Sequence, residues 1–113
     1  MNRIRVMLAE DQNLVREGIC SLLELSDRVE VVGQVEDGSE VVEGLRACLP
    51  DVLLLDIRMP RMTGIEALRE MARTHTMVTT IILTTFDGDY HEFGVVLASL
   101  LCLDRGFIVH NLG

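Results

Sequence analysis

Three carboxylate residues directly follow or end two apolar segments of this chain. Glu10 and Asp11 follow the apolar segment 4–9, and Asp56 ends the segment 52–56. Parallel strands place their carboxyl ends at one edge of a sheet, where ligands bind, so we expect these side chains to lie together. Grouped carboxylates repel one another unless a hard cation lies between them. Mg²⁺ suits such a group, because it accepts carboxylate, water and phosphate oxygens.

Length and composition limit the class of protein. The chain has 113 residues, enough for one domain, and its 49% hydrophobic content argues against disorder. We expect a cytoplasmic protein, because no apolar run is long enough to span a bilayer and no signal peptide is visible. The net charge of −8 disfavours direct binding to nucleic acid. The three cysteines, Cys20, Cys48 and Cys102, are expected to be reduced and to bind no metal.

Apolar segments alternate with segments of helical period. Strands are predicted at 3–9, 29–35, 52–56, 79–84 and 107–109, and helices at 13–25, 39–49, 63–73 and from 87 to near 103. Ser39 is the expected N-cap of the second helix, and Pro50 follows its end. This alternation predicts an α/β fold, a doubly wound parallel sheet of five strands in the flavodoxin-like order 2-1-3-4-5.

Two common phosphate-binding motifs are excluded. The turn after the first strand, residues 9–12, contains no glycine and carries two acids, unlike a dinucleotide-binding turn. A P-loop needs a lysine, whereas all ten basic residues here are arginines. The remaining interpretation is a site that holds Mg²⁺ beside a carboxylate that attacks phosphorus.

The combined motifs resemble the receiver domain of bacterial two-component response regulators. They are Glu10-Asp11, Asp56 followed by Met59-Pro60 and Gly64, and Thr84 after an apolar strand. The run Leu83 to Asp87 is similar to the LuxR/NarL-type branch, whose receivers normally control a DNA-binding domain that this chain does not include. We treat residues 1–113 as one domain, with the resemblance covering 3–94 and an atypical tail at 95–113.

The resemblance implies a role for each matching residue. Asp56 would accept a phosphoryl group from a sensor histidine kinase. Asp11, Asp56 and the backbone carbonyl of Arg58 would bind Mg²⁺ directly, and Glu10 would act through water. Thr84 would contact the phosphoryl group and move on activation. A receiver of this kind catalyses only its own phosphorylation and dephosphorylation, so the chain is not expected to be an enzyme acting on other substrates.

The tail departs from the family pattern. The family has a lysine at the end of its fifth strand, and Gly106 lies at the usual distance from Thr84. If the strand is displaced by four residues, His110 takes the lysine position and Phe107 is the switch aromatic, although histidine is a poor fixed cation at neutral pH.

No segment for a final helix follows, which predicts self-association, with exchange of C-terminal elements as one route. Three explanations for this tail remain open. The protein could be a degenerate receiver, its reading frame could be altered, or it could be a truncated receiver that is stable only as an oligomer.

Two alternative functions remain. A pseudo-receiver would act as a phosphorylation-independent dimerisation module, which the missing lysine favours and the retained acids oppose. A phosphatase of the haloacid-dehalogenase type would need a second acid two residues after Asp56, where this chain has Arg58.

Overall fold

The computed structural model describes residues 2–85 and 96–101. Its elements, in chain order, are β1 (Ile4–Ala9), α1 (Asn13–Glu24), β2 (Val29–Val35), α2 (Val41–Cys48), β3 (Val52–Asp56), α3 (Gly64–Arg73), β4 (Thr79–Thr85) and β5 (Val96–Leu101). The strands form one sheet in the order β2-β1-β3-β4-β5, and the first four are parallel. The predicted flavodoxin-like α/β fold is confirmed, with the predicted order for the four parallel strands, whereas β5 is antiparallel to β4 and is not the predicted fifth strand.

The central strands β1 and β3 are mostly apolar because helices cover both faces of the sheet. Alternate residues of β1 point to opposite faces. Met7 and Ala9 pack in one core with buried residues of α2 and α3, such as Leu45 and Met71. Val6 and Leu8 pack in a second core with Cys20 of α1. The sheet is therefore held rigidly from both sides at the strands that carry the acids.

The helix predicted from Asp87 to near Leu103 is wrong over residues 96–101. These residues form β5, which pairs antiparallel with β4 from Thr85↔Val96 to Thr80↔Leu101. A short apolar run fits a strand as well as a buried helix, and hydrogen bonding to the edge of β4 decides between them. The fifth strand predicted at 107–109 and the final helix predicted to be absent lie outside the described residues.

The predicted N-cap at Ser39 is also wrong. A short 3-10 helix, Gly38–Glu40, precedes α2, and its N-cap is Asp37, whose side chain accepts a hydrogen bond from the Ser39 backbone N–H. An aspartate two residues before a serine can itself make this turn, so the two residues compete for the capping role.

Two further expectations concern the described part of the chain. Cys20 is a buried free thiol and Cys48 a half-buried one, and Cys102 lies outside the described residues. None of the helices between residues 2 and 85 combines the length and the apolar character that crossing a bilayer requires.

Candidate functional site

The two acidic segments are brought together by strand pairing. β1 and β3 are parallel neighbours, with Ala9 level with Leu55. Glu10 follows Ala9 and Asp56 follows Leu55, so both acids leave the sheet at the same edge. The Glu10 backbone N–H donates to the Val35 carbonyl at 3.0 Å, which extends the ladder to β2 and holds the residue in place.

Glu10, Asp11 and Asp56 form a compact carboxylate cluster. One oxygen of each side chain can be chosen so that the three atoms lie within 4.8 Å of one another. Glu10 and Asp56 are only 5% and 6% exposed, whereas Asp11 is half-buried. The cluster thus offers only oxygen ligands and has one side open to solvent, which is the donor chemistry that Mg²⁺ prefers.

The electrostatics of this cluster favour a bound cation. Burial, a hydrogen bond with Asp56 and repulsion from Asp56 and Asp11 raise the pKa of Glu10 to about 8. Burial and repulsion from Asp56 also raise the pKa of Asp11, although backbone N–H groups oppose that shift. Three adjacent negative charges are therefore costly for the protein alone. A divalent cation would compensate them, so the residues present fit the predicted metal.

The loop after Asp56 is fastened close to the cluster. The Arg58 N–H donates to Asp56 Oδ1 at 3.2 Å. The Ile57 N–H donates to the Leu83 carbonyl at 3.3 Å, and the Met59 side chain is buried in the core. This arrangement fixes the loop beside the Asp56 carboxylate.

The start of α3 lies against the same loop. Thr63 caps the helix in a capping box with Glu66, which accounts for the predicted helix start. The Gly64 N–H donates to the Ile57 carbonyl at 2.9 Å. A Cβ at Gly64 would lie 2.4 Å from the Asp56 carbonyl oxygen, so only glycine allows this approach.

Sequence reasoning missed Asp37, which borders the site. Its carboxylate is 1% exposed and accepts hydrogen bonds from Ser39, Arg61 and Met62. These donors more than offset the effect of burial and hold the pKa of Asp37 far below its usual range. The Asp-Gly pair after a predicted strand was visible as a turn signal, but its partners in a distant loop were not.

Arg16 of α1 was missed as well. Its guanidinium donates to the Glu10 carbonyl at 2.9 Å, to the side chain of Asn13, and to Glu36 Oε1 at 3.2 Å. These contacts connect the loop that carries Glu10 and Asp11 to the end of β2. Arg16 donates to the backbone carbonyl of Glu10, and its carboxylate partner is Glu36, which lies outside the acidic cluster.

The remaining predicted residues lie further along the chain. Leu83 pairs with Asp56 across β3 and β4, and Thr84 is the next residue of β4. The backbone of Thr84 is therefore placed near the carboxylate cluster, at the same edge of the sheet. Phe107 and His110 lie outside the described residues.

Comparison with known proteins identifies the class to which this fold and site belong. Residues 6–98 match the response regulator receiver domain family. This chain is a member of that family, which acts in two-component signal transduction.

Similar proteins come from several bacteria. The transcriptional regulatory protein LiaR of Bacillus subtilis is 39% identical over 98 residues, which are 87% of this chain and 46% of LiaR. The response regulator GacA of Pseudomonas viridiflava is 38% identical over 86 residues, 76% of this chain and 40% of GacA. The chain thus spans less than half the length of these relatives.

A solved structure shows the same architecture. The signal receiver domain of a response regulator designated NarL from Mycobacterium tuberculosis superposes with a TM-score of 0.69 at 36% identity, covering 79% of this chain and 72% of that domain. The resemblance to the LuxR/NarL-type branch is therefore confirmed by sequence and by structure.

Proposed function

We propose that this chain is a phosphoacceptor receiver whose Asp56 takes a phosphoryl group from a sensor histidine kinase. The observation that carries the proposal is the position of Asp56, buried at the end of β3 within 4.8 Å of two other carboxylates. A structural carboxylate at that depth would need compensating donors, whereas this one shares its surroundings with further acids.

The cluster supports a dependence on Mg²⁺. Asp11 and Asp56 would bind the ion directly together with the backbone carbonyl of Arg58, and Glu10 would act through a water molecule. When bound, the ion supplies positive charge that offsets both the carboxylates and the incoming phosphoryl oxygens. The role of the protein is to hold the ligands in this arrangement before the donor arrives.

The chemical step requires little from the protein beyond position. An Asp56 carboxylate oxygen forms a bond to phosphorus while the bond from phosphorus to the donor's histidine nitrogen breaks. The electron pair of that bond stays on the departing imidazole. The Arg58 N–H, which already donates to Asp56 Oδ1, limits the rotation of the nucleophile. The product is an acyl phosphate on Asp56.

Phosphorylation would be read out through the neighbouring strand. Thr84 follows the residue that pairs with Asp56, so its hydroxyl is the proposed contact for a phosphoryl oxygen and the proposed switch. Phe107 remains the proposed switch aromatic, and His110 the proposed replacement for the family lysine. The added negative charge would bias a two-state surface toward its active form.

The partners follow from the family and belong to this proposal. The relatives named as transcriptional regulators are more than twice as long as the segment they share with this chain, so a DNA-binding output is the proposed target of control. A cytoplasmic location goes with a kinase partner of this kind. Self-association, with exchange of C-terminal elements as one route, remains a prediction that light scattering over a range of protein concentrations tests.

Intact-mass spectrometry tests the function directly. The parent chain is incubated with Mg²⁺ and acetyl phosphate beside Asp56→Asn and the control Asp51→Asn. Asp51 is an exposed carboxylate just before β3, at the end of the strand opposite Asp56, where it accepts from the Arg5 N–H. We expect one phosphoryl group on the parent and on the control, and none on Asp56→Asn. A folded parent that gains no mass would contradict the proposal and favour the pseudo-receiver.

A further inference from the structure

The buried carboxylate of Asp37 connects two loops that are distant in sequence. Its Oδ2 accepts from the Ser39 N–H at 3.0 Å and from the Ser39 hydroxyl at 2.6 Å, within its own turn. Its Oδ1 accepts from the Arg61 N–H at 3.0 Å and the Met62 N–H at 3.4 Å. One side chain therefore fastens the turn after β2 to the loop after Asp56.

The backbone beside Asp37 strengthens the same connection. The Gly38 N–H donates to the Met62 carbonyl at 3.2 Å. A Cβ at Gly38 would lie only 2.3 Å from that oxygen, so the two backbone segments approach as closely as glycine permits. The loop of residues 57–63 is thus held near Asp56 by β4 and at its far end by Asp37 and Gly38.

The choice of aspartate has a chemical reason. Both oxygens face hydrogen-bond donors, and only an ionised carboxylate accepts on both sides. Asparagine would turn its NH₂ group toward one of the two donor pairs and would leave that pair without an acceptor. The depressed pKa of Asp37 agrees with this arrangement, because it keeps the group ionised at neutral pH.

We propose that Asp37 is a positioning residue for phosphoryl transfer at Asp56. By fixing Arg61 and Met62 it holds the whole loop 57–63, including the Arg58 backbone, in one place relative to Asp56. The inference rests on the proposed function. It assigns to Asp37 no contact with the metal or the phosphoryl group, and its effect is transmitted through the loop.

The test compares Asp37→Asn and Asp37→Ala with the parent. Calorimetric titration gives the dissociation constant for Mg²⁺, and intact mass gives the rate of phosphorylation by acetyl phosphate at low and at saturating Mg²⁺. Partners that orient metal ligands typically contribute about ten- to a hundredfold to affinity or rate. We expect losses of that size for Asp37→Ala and smaller losses for Asp37→Asn, which keeps one acceptor. Saturating Mg²⁺ should restore part of the rate.

Two controls separate positioning from charge and from folding. Glu43→Gln removes one charge from an exposed site on α2 and should match the parent. Circular dichroism selects a temperature at which the variants are folded. Amide hydrogen exchange at Arg61 and Met62 should be faster in folded Asp37→Asn. If Asp37→Ala does not fold, the same two measurements, the Mg²⁺ dissociation constant and the phosphorylation rate, are made on Asp37→Asn alone.

The outcomes distinguish the inference from the function. If the parent is phosphorylated, and a folded Asp37 variant exchanges the Arg61 and Met62 amides faster yet keeps the parent's Mg²⁺ constant and rate, the positioning role is wrong while the proposed function stands. If the parent neither binds Mg²⁺ nor takes up a phosphoryl group, the proposed function fails and the inference fails with it.

Discussion

Two buried carboxylates of this domain, Glu10 and Asp37, respond to burial in opposite ways. They are 5% and 1% exposed, yet the pKa of Glu10 is raised to about 8 and that of Asp37 is strongly lowered. Depth in the protein therefore does not decide the charge of a carboxyl group. The neighbouring donors and charges decide it.

The difference separates a binding site from its support. Asp37 receives four hydrogen bonds from the protein and needs no further partner. Glu10 has Asp56 and Asp11 as neighbours, and these raise its pKa further. Because the protein's own donors compensate the Asp37 carboxylate, that residue can hold the loops together. The Glu10 carboxylate lies among other acids instead, so its surroundings are suited to bind a cation.

Asp56→Asn is expected to have the largest effect, complete loss of phosphorylation, because it removes the nucleophile. It should also stabilise the metal-free protein above about pH 8, where Glu10 is ionised, because it removes one charge from a cluster of repelling carboxylates. Urea unfolding without Mg²⁺ measures the gain. If Asp56→Asn is less stable than the parent, the carboxylates of the cluster do not repel one another. The proposed contrast between Glu10 and Asp37 would then be wrong.

The pH dependence of stability should separate the two carboxyl groups. The folded-state pKa of Glu10, about 8, lies above its ordinary value of 4.5, so the native state binds more protons between these values. The free energy of unfolding should then fall as pH rises through that window, by at most about 1.4 kcal/mol per pH unit. Denaturant unfolding without Mg²⁺ at about pH 5 and about pH 8 measures the slope.

Glu10→Gln provides the control for this slope and should flatten it. Asp37 has the opposite sign, because its folded-state pKa is depressed below its ordinary value of 3.8. The contribution of Asp37 to the free energy of unfolding is fully present above pH 3.8 and is lost only as the pH falls toward the lower folded-state pKa. A parent profile that is flat between pH 5 and about 8 would contradict the account of Glu10.

Gly64→Ala should destabilise the protein by about 2 kcal/mol, as expected for overpacking against backbone. Its Cβ would lie 2.4 Å from the Asp56 carbonyl oxygen and 2.9 Å from the Ile57 Cα, which cannot move without displacing the loop. Phosphorylation should slow as well. Gly18→Ala is the matched control in α1, where a Cβ meets nothing within 4 Å.

The control should be stabilised by about 0.5–1 kcal/mol, because alanine is the better helix former. Thermal unfolding of both glycine variants gives the comparison. Equal stabilities would mean that the approach of α3 to Asp56 is looser than the structure indicates.

Ser39→Ala should have the smallest effect, a loss of about 1–2 kcal/mol at neutral pH. It removes the hydroxyl donor to Asp37 Oδ2 and keeps the backbone donor. Because the bond is made to an ionised acceptor, the difference from the parent should shrink once Asp37 is protonated in acid. Urea unfolding at neutral and strongly acidic pH tests this, and a difference independent of pH would locate the loss elsewhere.

Local pattern was enough to predict most elements and the three acids of the cluster. β2 and β3 begin and end at the predicted residues, and α3 begins one residue after the predicted start, because apolar runs, Pro50 and the Thr63 cap are all signals within a few residues. The same signals failed at Val96–Leu101, where a short apolar run allows either element.

The sequence by itself determined that carboxylates follow or end two apolar strands, since the position of a strand and its residue types are local features. Only the tertiary structure decided which buried carboxylate is satisfied. Asp37 draws two of its donors from Arg61 and Met62, and these donors are backbone N–H groups, which every residue except proline carries. Residue type does not reveal where such donors point, so the folded chain alone distinguishes Asp37 from Glu10.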